Sequence, residues 1–187
     1  PVHGNKGHLA TRTFNFIGID FTPKQDTITL NTLYFAAGRP NLGPIEAWDI
    51  SEASIAATRH ILQKMNIEQS VTLRRIDLFQ KTAEDTAFQD VVLSEVLEHL
   101  ETPREALLKI RDIMAPGGRL FLNVPCNSPA PDHIYLFDSP EAIFDLATTA
   151  GFVLEENRIY PTTGYSEERA RKAKITMSCA AIARKPA

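Results

Sequence analysis

The sequence predicts an α/β fold built on a doubly wound, mostly parallel sheet with helices on both faces. Short apolar runs that end in an acidic or polar residue alternate with stretches whose apolar residues recur at helical spacing. The run over residues 90–94 has a continuous apolar centre, which is typical of a central strand in a parallel sheet. Right-handed crossovers between such strands produce a doubly wound sheet, in which ligands bind at the carboxyl ends of the strands.

Composition excludes several classes of function. The 187 residues include Lys+Arg 20 and Asp+Glu 23, and the formal net charge is -3. There is thus no basic excess for binding the phosphate backbone of nucleic acid. Cys126 and Cys179 are too few and too far apart for a disulfide framework or a zinc site. No apolar run approaches the about 18–20 residues of a membrane span, and no signal-peptide pattern opens the chain. We therefore expect a cytoplasmic protein that acts on neither nucleic acid nor membranes.

The chain is expected to form one domain. Residues 1–12 contain glycines and almost no apolar residues, and we interpret them as a loose N-terminal end. His3 and His8 in this end have no acidic partner nearby in sequence, so we expect no metal site. Residues 13–187 then make up a single domain.

The first part of that domain contains two predicted strands. They span residues 13–19 and 27–35, and both are rich in β-branched and aromatic residues. The composition of residues 23–26 favours a turn between them. The second strand is expected to end at residues 36–38.

The later elements carry clear boundary signals. Ser51 precedes one predicted helix, and Pro103 and Pro140 follow cap residues at the first positions of two others. The charged residues 166–174 indicate a helix with a solvated face, and a lid over the substrate is the alternative. The further predicted strands span residues 44–50, 71–77, 90–94, 119–124, 153–160 and 175–183.

Acidic residues end two neighbouring predicted strands. Asp49 is suited to accept hydrogen bonds from the ribose hydroxyls of an adenosine cofactor. The alternative is an acid that complements the dipole of the helix after it. Asp77 is suited to accept from an adenine amino group while Leu78 packs on the ring, and the alternative is an ordinary loop acid.

Several short motifs lie after these strands. Residues 94–100 are Ser-Glu-Val-Leu-Glu-His-Leu, residues 115–120 are Ala-Pro-Gly-Gly-Arg-Leu, and residues 123–125 are Asn-Val-Pro. Together with Asp49-Ile50-Ser51 ahead of a helix and the segment 132–141, they resemble the class I S-adenosylmethionine-dependent methyltransferases. The resemblance runs from about residue 33 to the C-terminus. It points to the small-molecule branch that includes the ubiquinone-biosynthesis methyltransferases.

This resemblance implies a fold, a cofactor and a set of binding residues. The fold is a Rossmann-like sheet of seven strands with the last strand antiparallel, and the cofactor is S-adenosylmethionine, lying across the strand ends. Asp49 would hold the ribose, Asp77 would face the adenine, and Glu95 would line the methionine portion. The implied cofactor-binding residues after these strands are Asp49, Ile50, Asp77, Leu78, Ser94 and Glu95.

One part of the sequence departs from the family. The first strand of the family ends in an acid and alternating glycines, which let the backbone approach the cofactor. Here Ala36 and Gly38 occupy cofactor-binding positions of that loop, and Tyr34 replaces the acid. Gly38 and Asp49 are 11 positions apart, whereas dinucleotide-binding relatives separate loop and acid by about 20 residues. We therefore expect the first crossover helix to be shortened or absent, unless residues are missing there. Residues 16–20 are the alternative first strand.

Transfer of a methyl group requires an acceptor atom in line with it, at about 3 Å, and often a base. His133, in a proline-rich loop after the fifth strand, is the predicted catalytic base, and His99 is the less favoured candidate. For both, the alternative is an imidazole that only anchors its loop. Cys126 is interpreted as a packing residue. Three tyrosines are candidates for an aromatic pocket or for half-buried core positions: Tyr135, Tyr160 and Tyr165.

The leading hypothesis is a methyltransferase that acts on a small molecule, with oxygen as the acceptor atom and a homodimer as a possible assembly. The second is a non-catalytic binding or scaffolding subunit of the same fold, favoured by the altered loop around Gly38. The third is a nicotinamide-dependent oxidoreductase, which the sheet alone would allow. The loop is poor in glycine for binding a pyrophosphate, which counts against the third.

Overall fold

The computed structural model describes residues 14–17, 45–80 and 88–187. The strands are β1 Phe14–Ile17, β2 Ile45–Asp49, β3 Val71–Arg75, β4 Phe88–Ser94, β5 Met114–Cys126, β6 Val153–Pro161 and β7 Met177–Arg184. The helices are α1 Glu52–Lys64, α2 Pro103–Ile113, α3 Pro140–Thr149 and α4 Glu167–Ala173. Short 3-10 turns occur at Glu68–Ser70, Leu78–Gln80 and Leu97–His99.

The strands form one mixed sheet in the order β3-β2-β1-β4-β5-β7-β6. The pairs β3-β2, β2-β1, β1-β4 and β4-β5 are parallel. The last strand, β7, is antiparallel to both of its neighbours, β5 and β6. The chain reverses its direction of growth between β1 and β4, so the carboxyl ends of these two strands mark the switch point of a doubly wound sheet. The predicted α/β class with a mostly parallel sheet is confirmed.

The strand between β2 and β4 is Phe14–Ile17. Phe16 lies opposite Ala47 of β2 on one side and Val92 of β4 on the other. This place was expected to belong to the strand ending at Gly38, and that assignment is wrong, because β1 already pairs with both neighbours. Part of the alternative strand at residues 16–20 occupies it instead.

This correction also removes the argument for a shortened crossover. The connection from β1 to β2 spans residues 18–44, so the spacing from Gly38 to Asp49 does not measure it. The predicted strand at 27–35, the loop at Tyr34, Ala36 and Gly38, and the expected loss of the first crossover helix lie outside the described residues.

Local signals position the helices largely as predicted. The Ser51 hydroxyl accepts a hydrogen bond from the backbone N–H of Ser54 at 3.3 Å and caps α1. Ser139 caps α3 in the same way through Ala142, also at 3.3 Å. The side chain of Thr102 makes no such bond, and Pro103 at the first turn marks the start of α2. Residues 166–174 form a short helix with exposed charges, as expected from their pattern.

Strand β5 is longer than predicted. It begins at Met114, which lies opposite Phe88, and the pairing shifts register between Phe88 and Asp90. Gly118 makes this possible, because a Cβ atom there would lie 2.9 Å from the carbonyl oxygens of Ala115 and Gln89. The Pro-Gly-Gly stretch, predicted only to stop α2, therefore lies within the strand.

The core lies on both faces of the sheet. Trp48 belongs to the larger cluster and meets Phe88 edge to face at 5.3 Å, whereas Ala47 belongs to a smaller cluster with Ile55 of α1. Because neighbouring strand residues point to opposite faces, β2 separates the two clusters. Helices α2 and α3 supply buried residues to the larger cluster: Ala106, Leu107, Ile110, Ile143 and Phe144. Within the described ranges, no helix has the length and apolar character needed to cross a membrane.

Candidate cofactor and substrate site

A cavity of about 550 Å³ lies at the carboxyl edge of the sheet. It is lined by residues that follow β2, β3 and β4 and by one residue from the loop after β5. Its lining residues are Ile50, Asp77, Phe79, His99, Leu100, Glu101, Thr102, Glu105 and Ile134. Ligands of doubly wound sheets bind at this edge, so the cavity is the candidate site.

Another cavity, of about 210 Å³, is lined by Asp90, Arg119 and Arg184 near the start of β4. The Arg119 guanidinium donates to the Asp90 carboxylate at 2.9 Å, and Arg184 pairs with Glu155. These charges are already compensated, and the cavity lies at the end of β4 opposite to the carboxyl edge. It is therefore not the candidate site.

Asp49 is the last residue of β2 and is fully buried. Its Oδ1 accepts a hydrogen bond from the backbone N–H of Ser51 at 2.7 Å, which helps the chain turn from β2 into α1. Ile50, the next residue, lines the cavity. The structure therefore brings the Asp49–Ile50 pair to the predicted edge and gives the Asp49 carboxylate a role at the start of the helix.

Asp77 and Phe79 lie in one tight turn after β3. Asp77 Oδ1 accepts from the backbone N–H of Phe79 at 2.9 Å, and both residues line the cavity. Leu78 was expected to pack on the adenine ring, but it is buried in the larger core cluster. Phe79, half-buried at the cavity, has the position expected of Leu78, because the 3-10 turn rotates Leu78 inward.

Ser94 and Glu95 follow β4 and are tied to β5 by Asn123. The amide of Asn123 donates to Ser94 Oγ at 3.2 Å and to Glu95 Oε1 at 2.8 Å. Glu95 has a positive φ of 55°, and its backbone N–H donates to the Asn123 carbonyl at 2.9 Å. A left-handed conformation is uncommon for a residue other than glycine, so the chain turns sharply where strand meets loop. The sequence analysis did not single out Asn123 as a site residue.

The Glu95 carboxyl lies in a partly desolvated place. Burial raises its pKa, while the nearby His133 and side-chain hydrogen bonds with Glu98 and Asn123 oppose the shift. Glu98, in the next turn, is buried. Two carboxyl groups and one imidazole thus lie together next to the end of β4.

The two candidate bases lie side by side. The rings of His99 and His133 meet edge to face with centroids 5.0 Å apart. His99 lines the cavity, although the sequence analysis favoured His133. The Nδ1 atom of His99 lies 2.8 Å from the Asp132 carbonyl, and that of His133 lies 2.6 Å from the Ser128 carbonyl. Both imidazoles therefore anchor the loop after β5.

The remaining predicted residues lie elsewhere. Ile134, not Tyr135, lines the cavity, and the Tyr135 ring packs on Phe137 at 4.7 Å. Tyr160 is exposed on β6, and Tyr165 lies under Arg169 at 5.1 Å. Cys126 is fully buried, which agrees with its interpretation as a packing residue. Ala36 and Gly38 belong to the part of the chain that the structure does not describe.

Comparison with solved structures identifies the fold class. The [4+2]-cyclase SpnF is 15% identical with a TM-score of 0.73, and the match covers 94% of this chain and 76% of that chain. An S-adenosylmethionine-dependent methyltransferase from Aquifex aeolicus is 12% identical with a TM-score of 0.64, over 92% and 84% of the two chains. Phosphoethanolamine N-methyltransferase 2 of Haemonchus contortus, in complex with S-adenosyl-L-methionine, is 13% identical with a TM-score of 0.64, over 95% and 50%. At these identities the likeness shows a shared fold.

The sequence comparison is more specific. Residues 30–120 match the family model described as a methyltransferase domain, and this stretch includes Asp49, Asp77, Ser94 and Glu95. No curated protein matches the chain significantly. The family match identifies a methyltransferase domain, and the class of enzyme that the comparisons support is a methyltransferase with S-adenosylmethionine as cofactor.

Proposed function

We propose that this chain is an S-adenosylmethionine-dependent methyltransferase that methylates an oxygen atom of a small molecule. The observation that carries the proposal is the cavity at the switch-point edge, where residues from three successive strand ends meet. The small-molecule branch resembling the ubiquinone-biosynthesis enzymes, the complete seven-stranded sheet and a cytoplasmic location belong to the same proposal.

The adenosine end of the cofactor is assigned to the turns after β2 and β3. Asp77 has a carboxylate oxygen at the cavity wall to accept from the adenine amino group, and Phe79 offers an aromatic face for the ring. Asp49 and Ile50 are assigned to the ribose. A buried carboxylate that accepts from a ribose hydroxyl makes a charge-assisted hydrogen bond, which is stronger than a neutral one.

The methionine end is assigned to Ser94 and Glu95 after β4, with Ala36 and Gly38 from the segment between β1 and β2. Asn123 fixes the positions of Ser94 and Glu95, so this wall is preorganised before the cofactor binds. S-adenosylmethionine supplies a methyl group on a sulfonium sulfur. The electron pair of the broken S–CH₃ bond stays on that sulfur, which leaves as a thioether.

The acceptor is assigned to the part of the cavity next to His99 and Ile134. The acceptor oxygen forms the new O–CH₃ bond with its own lone pair, and its proton passes to His133 Nε2 as the catalytic base. Ile134 is exposed and offers an apolar contact for the body of the substrate. An uncharged or weakly charged organic acceptor fits this composition better than nucleic acid does.

The named substrates of the structural neighbours support a small-molecule acceptor. One neighbour is a phosphoethanolamine N-methyltransferase, and another is a geranyl diphosphate C-methyltransferase from Streptomyces coelicolor A3(2). Oxygen as the acceptor atom is the narrower part of our proposal. The likeness to a cyclase keeps the second hypothesis, a binding subunit without methyl transfer, as the outcome to test against.

A transfer assay tests the proposal directly. The chain is incubated with S-adenosylmethionine carrying an isotopically labelled methyl group and with panels of hydroxyl, amine and activated-carbon acceptors. Label should enter a hydroxyl compound, and His133→Ala should lower its turnover by about 100-fold. A fall of less than about threefold would exclude His133 as the base. Label that enters only amines or carbon would overturn the oxygen assignment, and no transfer at all would favour the binding subunit.

A further inference from the structure

Glu98, His99 and His133 offer side-chain atoms that all lie within 4.8 Å of one another. Glu98 and His99 come from the turn after β4 and are buried, whereas His133 comes from the loop after β5 and is half-buried. The fold thus brings together two imidazoles and a carboxylate from separate segments. The sequence analysis expected no metal site, because these residues are not spaced as a metal-binding motif.

Backbone carbonyls fix the protonation of both imidazoles. A carbonyl oxygen only accepts hydrogen bonds, so Nδ1 of His99 must donate to Asp132 and Nδ1 of His133 must donate to Ser128. In the neutral imidazole the lone pair is then on Nε2. Histidine ligands of metals are held in this way, with one ring nitrogen bound to a carbonyl and the other facing the ion.

The separations within the cluster fit a shared ion better than direct hydrogen bonds. His99 Nε2 lies 3.8 Å from Glu98 Oε1, which is too long for a hydrogen bond between them. Ligands at about 2.1 Å from one ion in tetrahedral geometry are separated by about 3.4 Å, so small side-chain rotations bring these atoms into place. Glu95, which contacts Glu98 and lies near His133, is available as a second carboxylate.

We propose that Glu98, His99 and His133 bind one divalent transition-metal ion at the edge of the cavity, with Glu95 as an additional carboxylate ligand. Two imidazole nitrogens with carboxylate oxygen favour Zn²⁺, Co²⁺, Mn²⁺ or Fe²⁺ over Mg²⁺, which prefers oxygen ligands alone. His99 also lines the cavity, so an ion held there would lie beside the proposed acceptor.

This inference does not depend on methyl transfer, but it changes the role of His133. A lone pair that binds an ion cannot also take a proton, so His133 would act as a ligand when the metal is bound. The ion would then be the group that holds the acceptor oxygen and lowers the pKa of its hydroxyl. Metal binding therefore has to be measured separately from turnover.

The test is a titration of Co²⁺ into the purified chain after treatment with a chelator, followed by visible absorbance and calorimetry. We expect one ion per chain, displacement by Zn²⁺, and little competition from Mg²⁺ at the same concentration. His133→Gln and Glu98→Gln should each weaken Co²⁺ binding by more than about tenfold, since each removes one ligand. Circular dichroism without metal checks that each variant is folded.

Two controls separate this cluster from other histidines. His60→Gln changes an exposed histidine on α1 and should leave Co²⁺ binding unchanged. A double His3→Gln and His8→Gln variant tests the terminal histidines and should also bind normally. The proposal is overturned if no saturable binding occurs up to millimolar Co²⁺, if folded His133→Gln binds like the unaltered chain, or if the terminal double variant abolishes binding.

Discussion

The backbone N–H of Phe79 donates to Oδ1 of Asp77 at 2.9 Å, and this bond sets both side chains at the wall of one cavity. It also turns the residue between them, Leu78, into the core. A three-residue turn therefore divides its side chains between cofactor recognition and folding.

The first prediction separates these two tasks. Leu78→Ala should lower the free energy of unfolding by about 2–5 kcal/mol, because it removes buried core volume. Phe79→Ala should weaken binding of S-adenosylhomocysteine by about tenfold while changing stability less, because its ring is half-buried at the cavity. Urea denaturation and calorimetry measure the two effects. If Phe79→Ala binds the ligand normally, the adenine assignment is wrong.

The second prediction concerns the tie between β4 and β5. Asn123→Ala removes hydrogen bonds to Ser94 and Glu95 and should weaken cofactor binding, since the methionine wall is no longer held in place. Ser178→Ala is the matched control. The Ser178 hydroxyl donates to Asn123 Oδ1 at 2.7 Å, and its loss should cost about 1 kcal/mol of stability with little change in affinity. Equal losses of affinity in the two variants would contradict a specific role for the Asn123 amide.

The third prediction is a pH dependence remote from the site. Arg171 donates two hydrogen bonds to Glu141 at 2.9 Å, and this pairing lowers the pKa of the Glu141 carboxyl. A lowered pKa in the folded state means that the contribution to stability is present above the ordinary value of 4.5 and is lost as pH falls through the lowered value. Because both side chains are well exposed, the contribution is below about 1 kcal/mol.

Thermal unfolding between pH 3 and pH 7 checks this expectation with Glu141→Gln. The variant should be slightly less stable than the unaltered chain at neutral pH, and the difference should vanish in acid. Asp145→Asn, an exposed acid later in the same helix, is the control. A difference between Glu141→Gln and the unaltered chain that grows as pH falls has the wrong sign and would refute the assignment.

Strand and helix patterns predicted most of the fold after residue 44. The buried alternation of β2, the cap at Ser51 and the apolar run of β4 each require local information only. The position of β1 needed more. Residues 14–17 and 33–38 are both short apolar runs, and only pairing with β2 and β4 distinguishes them. The glycine pattern of the resemblance favoured the wrong run.

The candidate site was predictable to a similar extent. The strand-end position located Asp77 at the cavity, because carboxyl ends of parallel strands meet at one edge. The exchange of Leu78 for Phe79 depends on the rotation of a 3-10 turn, which sequence periodicity does not encode. The meeting of His99 with His133 depends on how the loop after β5 folds back. No local pattern specifies that contact.

The most direct test of the account is calorimetric titration of S-adenosylmethionine and S-adenosylhomocysteine into the purified chain. We predict a Kd near the micromolar range, about −8 kcal/mol. Asp77→Asn should weaken binding by at least about tenfold through the loss of a charge-assisted hydrogen bond. Asp112→Asn, an exposed acid on α2, should bind normally, and Asp49→Ala tests the ribose assignment in the same way. No binding of either ligand up to millimolar concentration would contradict the proposed methyltransferase and support a subunit that keeps the fold without the reaction.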